Sequence, residues 1–276
     1  MAKIGEYNVL IIDRFTSVGA FLKDNEGFEV LLPKKYLTDE MTLDGEVEIF
    51  LYKDSEDRPV ATTEKPYVTL NNFAFLKVKE TTDFGAFMDW GLEKDLLIPF
   101  KEQTVKMKTD GIYLIHLSRD PKTDRLVGSA RINKFLSKEP ADLKVGDQVD
   151  LFVAEMTDLG RKVIVNNTFG GLIFKDRIIK PLRDGERLKG YVEYIRTDGK
   201  LDISLVPVGV ERFDQFSEKI LEYLKKHGGE MSLNDNTDPD IIRNELGMSK
   251  KSFKKGLGNL YKRNLVSLEK EKVVLL

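Results

Sequence analysis

Up to Leu205 the chain alternates apolar and polar positions in short runs, the period-two pattern of strands with one buried face. Tyr7 to Ile12, Gly19 to Leu22, Phe28 to Leu32, Glu46 to Tyr52 and Val60 to Thr63 read as five strands, each bounded by Gly, Asp, Asn or charged residues. The same order returns at Phe75 to Lys79, Ala86 to Trp90, Leu96 to Ile98, Ile112 to Leu117 and Leu126 to Ser129. It returns again at Gln148 to Glu155, Lys162 to Asn166, Gly171 to Phe174, Arg187 to Ile195 and Lys200 to Leu205. Five short strands per unit predict a small closed barrel, too few for a sandwich of seven or more.

After Gly209 the apolar period changes to three and four. Phe213, Phe216, Ile220, Leu221 and Leu224 form the stripe of an amphipathic helix that stops at His227-Gly228-Gly229. Asp238-Pro239 supplies an N-cap and a proline at the first helical position, opening a second helix with Ile241, Ile242 and Leu246. Gly247 turns the chain, Ser249 caps a third helix, and Phe253, Leu257, Leu260 and Tyr261 are its expected buried face. Leu265 to Leu268 and Lys272 to Leu276, flanking Glu269-Lys270-Glu271, read as a hairpin. Three helices and a hairpin predict a winged helix.

The three β units share anchors. Gly19-Ala20-Phe21 and Gly85-Ala86-Phe87 are each followed, fourteen residues after the glycine, by a proline closing an apolar run, Pro33 and Pro99, and Gly160 stands in the same relation to Phe174. Fourteen residues upstream of each anchor sit Gly5, Asn71 and Gly146, and downstream come Gly45, Gly111 and Gly185. Anchors 66 and 75 residues apart are too widely spaced for solenoid units, so each repeat is a small domain. The expected architecture is mainly β and multidomain: three tandem five-stranded OB-fold barrels over 1–65, 66–140 and 141–208, then an α+β winged-helix domain over 209–276. Barrels this small need support from their neighbours.

Charge is nearly balanced overall, 44 basic against 46 acidic residues, yet unevenly spread. The first 70 residues hold 8 basic and 14 acidic residues. Gly160 to Lys200 holds ten basic and five acidic, and Met248 to Arg263 holds six basic and none acidic. Polyanion binding therefore belongs toward the C-terminal half. The absence of cysteine excludes a disulfide scaffold and fits a reducing cytosol, and neither a signal peptide nor an apolar run long enough to span a membrane is visible. A cytoplasmic location is expected.

The run Phe84-Gly85-Ala86-Phe87-Met88-Asp89, then Leu96-Leu97-Ile98, then Asp120-Pro121-Lys122-Thr123-Asp124-Arg125-Leu126 resembles the ribosomal S1-type RNA-binding domain. In that family two aromatics around the first hairpin, a histidine ending the third strand, and an aspartate and an arginine beyond the fourth form the RNA surface. The resemblance implies those roles for Phe84, Phe87, Asp120 and Arg125, with Pro99 in the histidine place. Unit one keeps Phe21, Asp54 and Arg58 but has Val18 and Pro33; unit three has Leu159, Val163 and Phe174, with Lys200 in the arginine place and a shortened turn. Physically, bases stack on exposed rings while cations track phosphates. The alternative is that both phenylalanines simply fill the barrel.

In unit three the cations thicken: Arg161, Lys162, Lys175, Arg177, Lys180, Arg183, Arg187, Lys189, Arg196 and Lys200, interleaved with Phe169, Phe174, Tyr191 and Tyr194. Strict alternation puts Tyr191 on one face of its strand and Tyr194 on the other, leaving one tyrosine for stacking. Unit one, acidic, reads as an element for packing, spacing or contacting a partner.

The stretch from Gly247 to Lys262 resembles the winged-helix end of the bacterial conserved virulence factor B family, whose chains join three S1-type domains to one winged helix. That resemblance covers the chain in domain order and implies RNA binding and post-transcriptional regulation. From spacing alone, Lys250, Lys251, Lys254 and Lys255 line one face of the third helix, and Lys262 and Arg263 extend the cationic set. That face lacks the Arg, Asn or Gln that read base edges, which points to backbone contacts. No catalytic constellation, metal-ligand spacing or phosphate-cradling glycine motif is present; His116 and His227 fall in different domains, and no cofactor is expected. The leading expectation is a non-catalytic protein that binds single-stranded RNA with low sequence specificity. A duplex-DNA regulator and a scaffold on the ribosome or other translation machinery are the competing readings.

Overall fold

The computed structural model describes residues 2–178, 180–207, 215–269 and 272–276. Phe213, Gly209 and the hairpin tip at Lys270 and Glu271 lie outside the described residues. The chain divides into two compact units, Met1–Val208 and Gly209–Leu276.

The first unit holds the three barrels. Barrel one consists of β1 (Tyr7–Thr16), β2 (Gly19–Lys23), β3 (Glu29–Pro33), β4 (Glu46–Lys53) and β5 (Pro59–Thr62), closed in the order β1-β2-β3-β5-β4. Barrel two is β6 (Phe73–Thr82), β7 (Gly85–Asp89), β8 (Leu96–Pro99), β9 (Ile112–Arg119) and β10 (Leu126–Ser129). Barrel three is β11 (Gln148–Met156), β12 (Gly160–Val165), β13 (Phe169–Phe174), β14 (Arg187–Ile195) and β15 (Leu201–Ser204), closed in the same order as barrel one. In barrel two the order is β10-β9-β6-β7-β8, the same circle with no ladder between β8 and β10. There Gly128 of β10 lies against the side chains of Ile98 and Leu96 on β8, so the seam closes by side-chain packing.

The central and upstream anchors each have a backbone cause. A Cβ on Gly19, Gly85 or Gly160 would lie 2.1, 2.2 and 2.1 Å from the carbonyl oxygens of Leu32, Ile98 and Ile173, so only glycine lets the second and third strands approach there. The upstream positions have positive φ, +88° at Gly5, +61° at Asn71 and +98° at Gly146, which explains why asparagine is the one replacement. Their N–H groups donate to Leu51, Leu117 and Val192 of the fourth strands. The first strand of every barrel breaks register at the same place, after Ile12, Val78 and Val153. The turn before the fourth strand bonds to these bulged residues, with Asp44, Asp110 and Gly185 donating to the Ile12, Val78 and Val153 carbonyls at 2.9 Å.

The barrels support one another as their size requires. In β4, Ile49, Phe50, Leu51 and Tyr52 are all buried, one face in barrel one and the other against barrel two, where Phe50 meets Trp90 edge-on at 5.9 Å. Lys53 pairs with Asp124 at 2.9 Å, and Lys94 donates to the Lys53 and Asp54 carbonyls at 3.1 and 2.6 Å. Arg119 and then Lys53 hold the Asp124 carboxyl low, to about 2. Between barrels two and three, Phe73, Phe152 and Ile164 form a separate apolar cluster with Phe75 and Phe135. His116 is buried there, stacked on Phe135 at 3.8 Å and edge-on to Phe73 at 4.7 Å.

The second unit is a winged helix: α1 (Gln215–Lys226), β16 (Glu230–Met231), α2 (Pro239–Leu246), α3 (Lys250–Lys262), β17 (Val266–Leu268) and β18 (Val273–Leu275). The short β16 joins the expected hairpin to make a three-stranded sheet, β16-β18-β17. Asp238 caps α2 by accepting the Asp240 N–H, Gly247 ends it at φ +62°, and Ser249 caps α3 by accepting the Ser252 N–H. Gly256 lets α3 approach the α1 backbone at Phe216, and Ser217 donates to the Gly256 carbonyl at 3.0 Å. Phe253, Leu257 and Leu260 are buried as expected, whereas Tyr261 is 53% exposed: it lies one step round the helix from Leu260, past the edge of the apolar stripe. Among the described residues no helix is long and apolar enough to cross a membrane.

Candidate nucleic-acid interface

In barrel two, Ala86 and Met88 of β7 point into the core with Val78, Leu96, Ile98 and Ile115. Phe87, between them, therefore faces outward and is half-buried. Phe84 sits in the β6–β7 turn, 76% exposed. Neither ring is core filler. They lie on either side of Gly85, beside the β6–β7 hairpin.

The equivalent positions of the other barrels are altered. In barrel one Val18 is exposed, and the outward ring of Phe21 is covered by the Arg14 guanidinium at 4.1 Å, itself paired with Glu29. In barrel three the strand register corrects the sequence match. Phe21 pairs with Leu31 and Phe87 with Leu97, and the residue in that place is Lys162, paired with Leu172. Val163 is buried in the core, because the alternation after the shared glycine puts the second residue outside and the third inside.

Asp120 and Arg125 are engaged within the protein. The Asp120 carboxylate accepts the Lys122 N–H at 2.8 Å, which holds its pKa below the usual carboxylate range, and Asp54 clamps the matching turn of barrel one in the same way. Arg125 forms an ion pair with Asp57 of barrel one. The expected phosphate contact thus stands at the junction of two barrels.

Barrel three's cations are mostly matched by acids. Arg161 is a correction: it is 8% exposed and holds the Leu182–Asp184 loop, donating to the Leu182 carbonyl at 2.9 Å and to Asp184 at 2.5 Å. Buried and engaged in this way, its guanidinium is turned toward the protein rather than toward solvent. Lys162 pairs with Glu155, Arg177 with Glu193, Lys180 with Glu186 and Lys189 with Asp150; Arg196 and Lys200 share Asp198. Exposed pairs of this kind contribute about 0–1 kcal/mol and yield readily to a phosphate. Lys175 and Arg183 are exposed, and Arg187 lies over the Phe152 ring at 5.0 Å. A register break between Val192 and Tyr194 overturns strict alternation: Val192 is buried, Tyr194 is 57% exposed, and Tyr191 remains half-buried with its hydroxyl accepting from Gln148. Both tyrosines therefore lie outside the core.

On α3, Lys251, Lys254 and Lys255 are exposed and Lys250 half-exposed, with Lys254 3.5 Å from Asp235. Lys262 is exposed and Arg263 half-buried at the helix end. The helix carries no acid, so nothing along it offsets these charges.

Sequence reasoning missed Phe100, which is 48% exposed. The signal was the proline before it: Pro99 ends β8 and sends the chain into a short 3-10 turn, Phe100–Glu102, that leaves the ring outside.

Tandem S1-type barrels joined to a winged helix define a protein built from nucleic-acid-binding domains. The S1 domain family model matches residues 4–64 and the CvfB-like winged helix domain model matches residues 218–275. The uncharacterized protein YitL of Bacillus subtilis is 31% identical, over 96% of this chain and 91% of its own. Conserved virulence factor B of Staphylococcus aureus is 26% identical, over 92% of this chain and 88% of its own. A crystal structure of a multidomain protein with nucleic acid binding domains from Streptococcus pneumoniae is 25% identical, covers 99% of this chain and 98% of its own, and superposes with a TM-score of 0.41. The chain belongs to the conserved virulence factor B family.

Proposed function

We propose that this is a non-catalytic, cytoplasmic RNA-binding protein that regulates gene expression after transcription. Its four modules, 1–65, 66–140, 141–208 and 209–276, divide the work. The third barrel and the winged helix supply cations for the phosphates of a single strand, the second barrel supplies rings for its bases, and the first braces the second. The observation that carries this reading is the position of Phe84 and Phe87 outside the barrel-two core. Cations suit any nucleic acid, whereas paired duplex bases cannot lie flat on a protein ring, so exposed rings favour an unpaired strand.

Filter binding of single-stranded RNA and of duplex DNA of equal length over a salt series tests it. RNA is expected to bind more tightly, with log K falling by about 0.7 per phosphate neutralised for each decade of salt. Tighter, sequence-dependent duplex binding would establish the winged helix as a DNA reader instead. Phe84→Ala is expected to weaken RNA binding by roughly 1–3 kcal/mol, with an unchanged unfolding midpoint because the ring is exposed. A loss of stability without a loss of affinity would make Phe84 a packing residue.

A further inference from the structure

We infer that barrel two carries a pocket for a single nucleobase, preferring guanine, in the groove between the β6–β7 hairpin and the loop after β8. The inference deepens the RNA-binding reading and rests on it. The groove encloses about 260 Å³, with Thr81, Thr82 and Asp83 on the hairpin side and Phe100 and Lys106 on the loop side. It is too small for a drug-sized ligand and suits one flat ring. The buried Gln103 and Met107 complete it, and the Gln103 amide donates to the Ile98 carbonyl at 3.0 Å and accepts the Met107 N–H at 3.1 Å. That side is therefore rigid before any ligand arrives.

Phe100 lines the site, and a second ring, Phe84, follows the lining residue Asp83 in the hairpin turn. Gly85 pairs with Pro99, so Phe84, just before, and Phe100, just after, emerge from adjacent strands at the same end of the sheet. They are 76% and 48% exposed, and neither stacks on another ring among the described residues. Where the S1 resemblance expects a histidine, Pro99 provides no ring, and Phe100 restores an aromatic surface one residue later.

The base preference follows from the polar groups. The Asp83 carboxylate is exposed, enters no ion pair among the described residues, and can only accept hydrogen bonds. Guanine is the one RNA base with two adjacent N–H donors on its Watson–Crick edge, the arrangement a carboxylate accepts in parallel. Adenine and cytosine set a ring-nitrogen acceptor beside their amino group, and uracil flanks its N–H with two carbonyls, so each turns a lone pair toward the carboxylate. Thr82 Oγ1 accepts the Phe84 N–H at 3.2 Å, which leaves its proton free to donate to guanine O6. Lys106 can meet an adjoining phosphate.

The test is fluorescence anisotropy on the full chain, with an oligouridine and the same oligomer bearing one central guanine. The guanine oligomer is expected to bind roughly 5- to 150-fold more tightly, the value of one bidentate contact. Asp83→Asn is expected to erase that preference without lowering oligouridine affinity, and Phe100→Ala to weaken both, each variant keeping the parental unfolding midpoint. No guanine preference in the parent, or an Asp83→Asn variant that binds both oligomers more tightly by the same factor, would overturn the pocket while leaving RNA binding in place. Failure of the parent to bind either oligomer would overturn both readings.

Discussion

Replacing Lys250, Lys251, Lys254 and Lys255 together by alanine is expected to lower the affinity for single-stranded RNA by about two to three orders of magnitude near 0.1 M salt. Each phosphate neutralised on a single strand contributes about 0.7 to the slope of log K against log salt, so four contacts account for about 2.8 decades between 1 M and 0.1 M. The salt slope should fall by the same 2.8. Alanine is the strongest helix former, and Phe253, Leu257 and Leu260 still bury the other face, so α3 should persist. Circular dichroism checks the fold while a salt titration of binding checks the slope. An unchanged slope would show that α3 is a solvated face and would favour a protein-docking role for the winged helix. Removing Lys162, Lys189 or Lys200 singly is expected to lower the slope by no more than about 0.7, since each is one contact and the exposed acid beside it yields to a phosphate at little cost.

The second large effect is acid weakening of the junction between barrels two and three. Burial pushes His116 down to about 4, against a smaller opposing contribution from the Asn71 backbone. Its ring lies between Phe73 and Phe135, and its Nδ1 has no hydrogen-bond partner among the described residues, so the folded state holds it neutral. The unfolded chain takes up the proton near its ordinary pKa of about 6.5, so between pH 6.5 and 4 the unfolded state binds more protons. Stability from this residue is therefore complete above about pH 6.5 and is lost as the pH falls toward 4. The loss is on the order of 3 kcal/mol, taking 1.36 kcal/mol per unit over that interval. Urea denaturation at pH 7.5, 5.5 and 4.5 should show the parent losing more stability than His116→Leu, which cannot take up the proton. Parallel losses in the two proteins would assign the acid limb to carboxylates alone.

The repeat that reveals the barrels is written in glycine and asparagine because backbone proximity and positive φ admit few other residues. Those constraints are local, and the sequence displays them at Gly19, Gly85 and Gly160 without any knowledge of the tertiary structure. The docking faces were harder to read. Ile49-Phe50-Leu51-Tyr52 and Leu151-Phe152-Val153-Ala154 are apolar on both sides of their strands, and the pattern alone does not distinguish a strand between two barrels from one buried in a single sheet. Bulges were equally hidden: the break after Val192 moves Tyr194 outside against strict alternation, and counting onward from Gly160 misassigned Val163 where Lys162 faces out. The aromatic site was half visible, since the Gly-Ala-Phe motif identifies Phe84 and Phe87 but not Phe100.

By itself the sequence determined the kind of modules, their order, the caps of the winged helix and the lysine face of α3, a helix with no acid of its own. These depend on neighbours within one or two turns or on a fixed repeat. Only the tertiary structure decided which charges are free. Arg125 faces Asp57 across a barrel junction 68 residues away in sequence, Arg161 is drawn inward by a loop 21 to 23 residues downstream, and Phe21 is covered by Arg14. Coulomb and stacking energies depend on distance in space, and the barrel closure that sets those distances is not local in the chain.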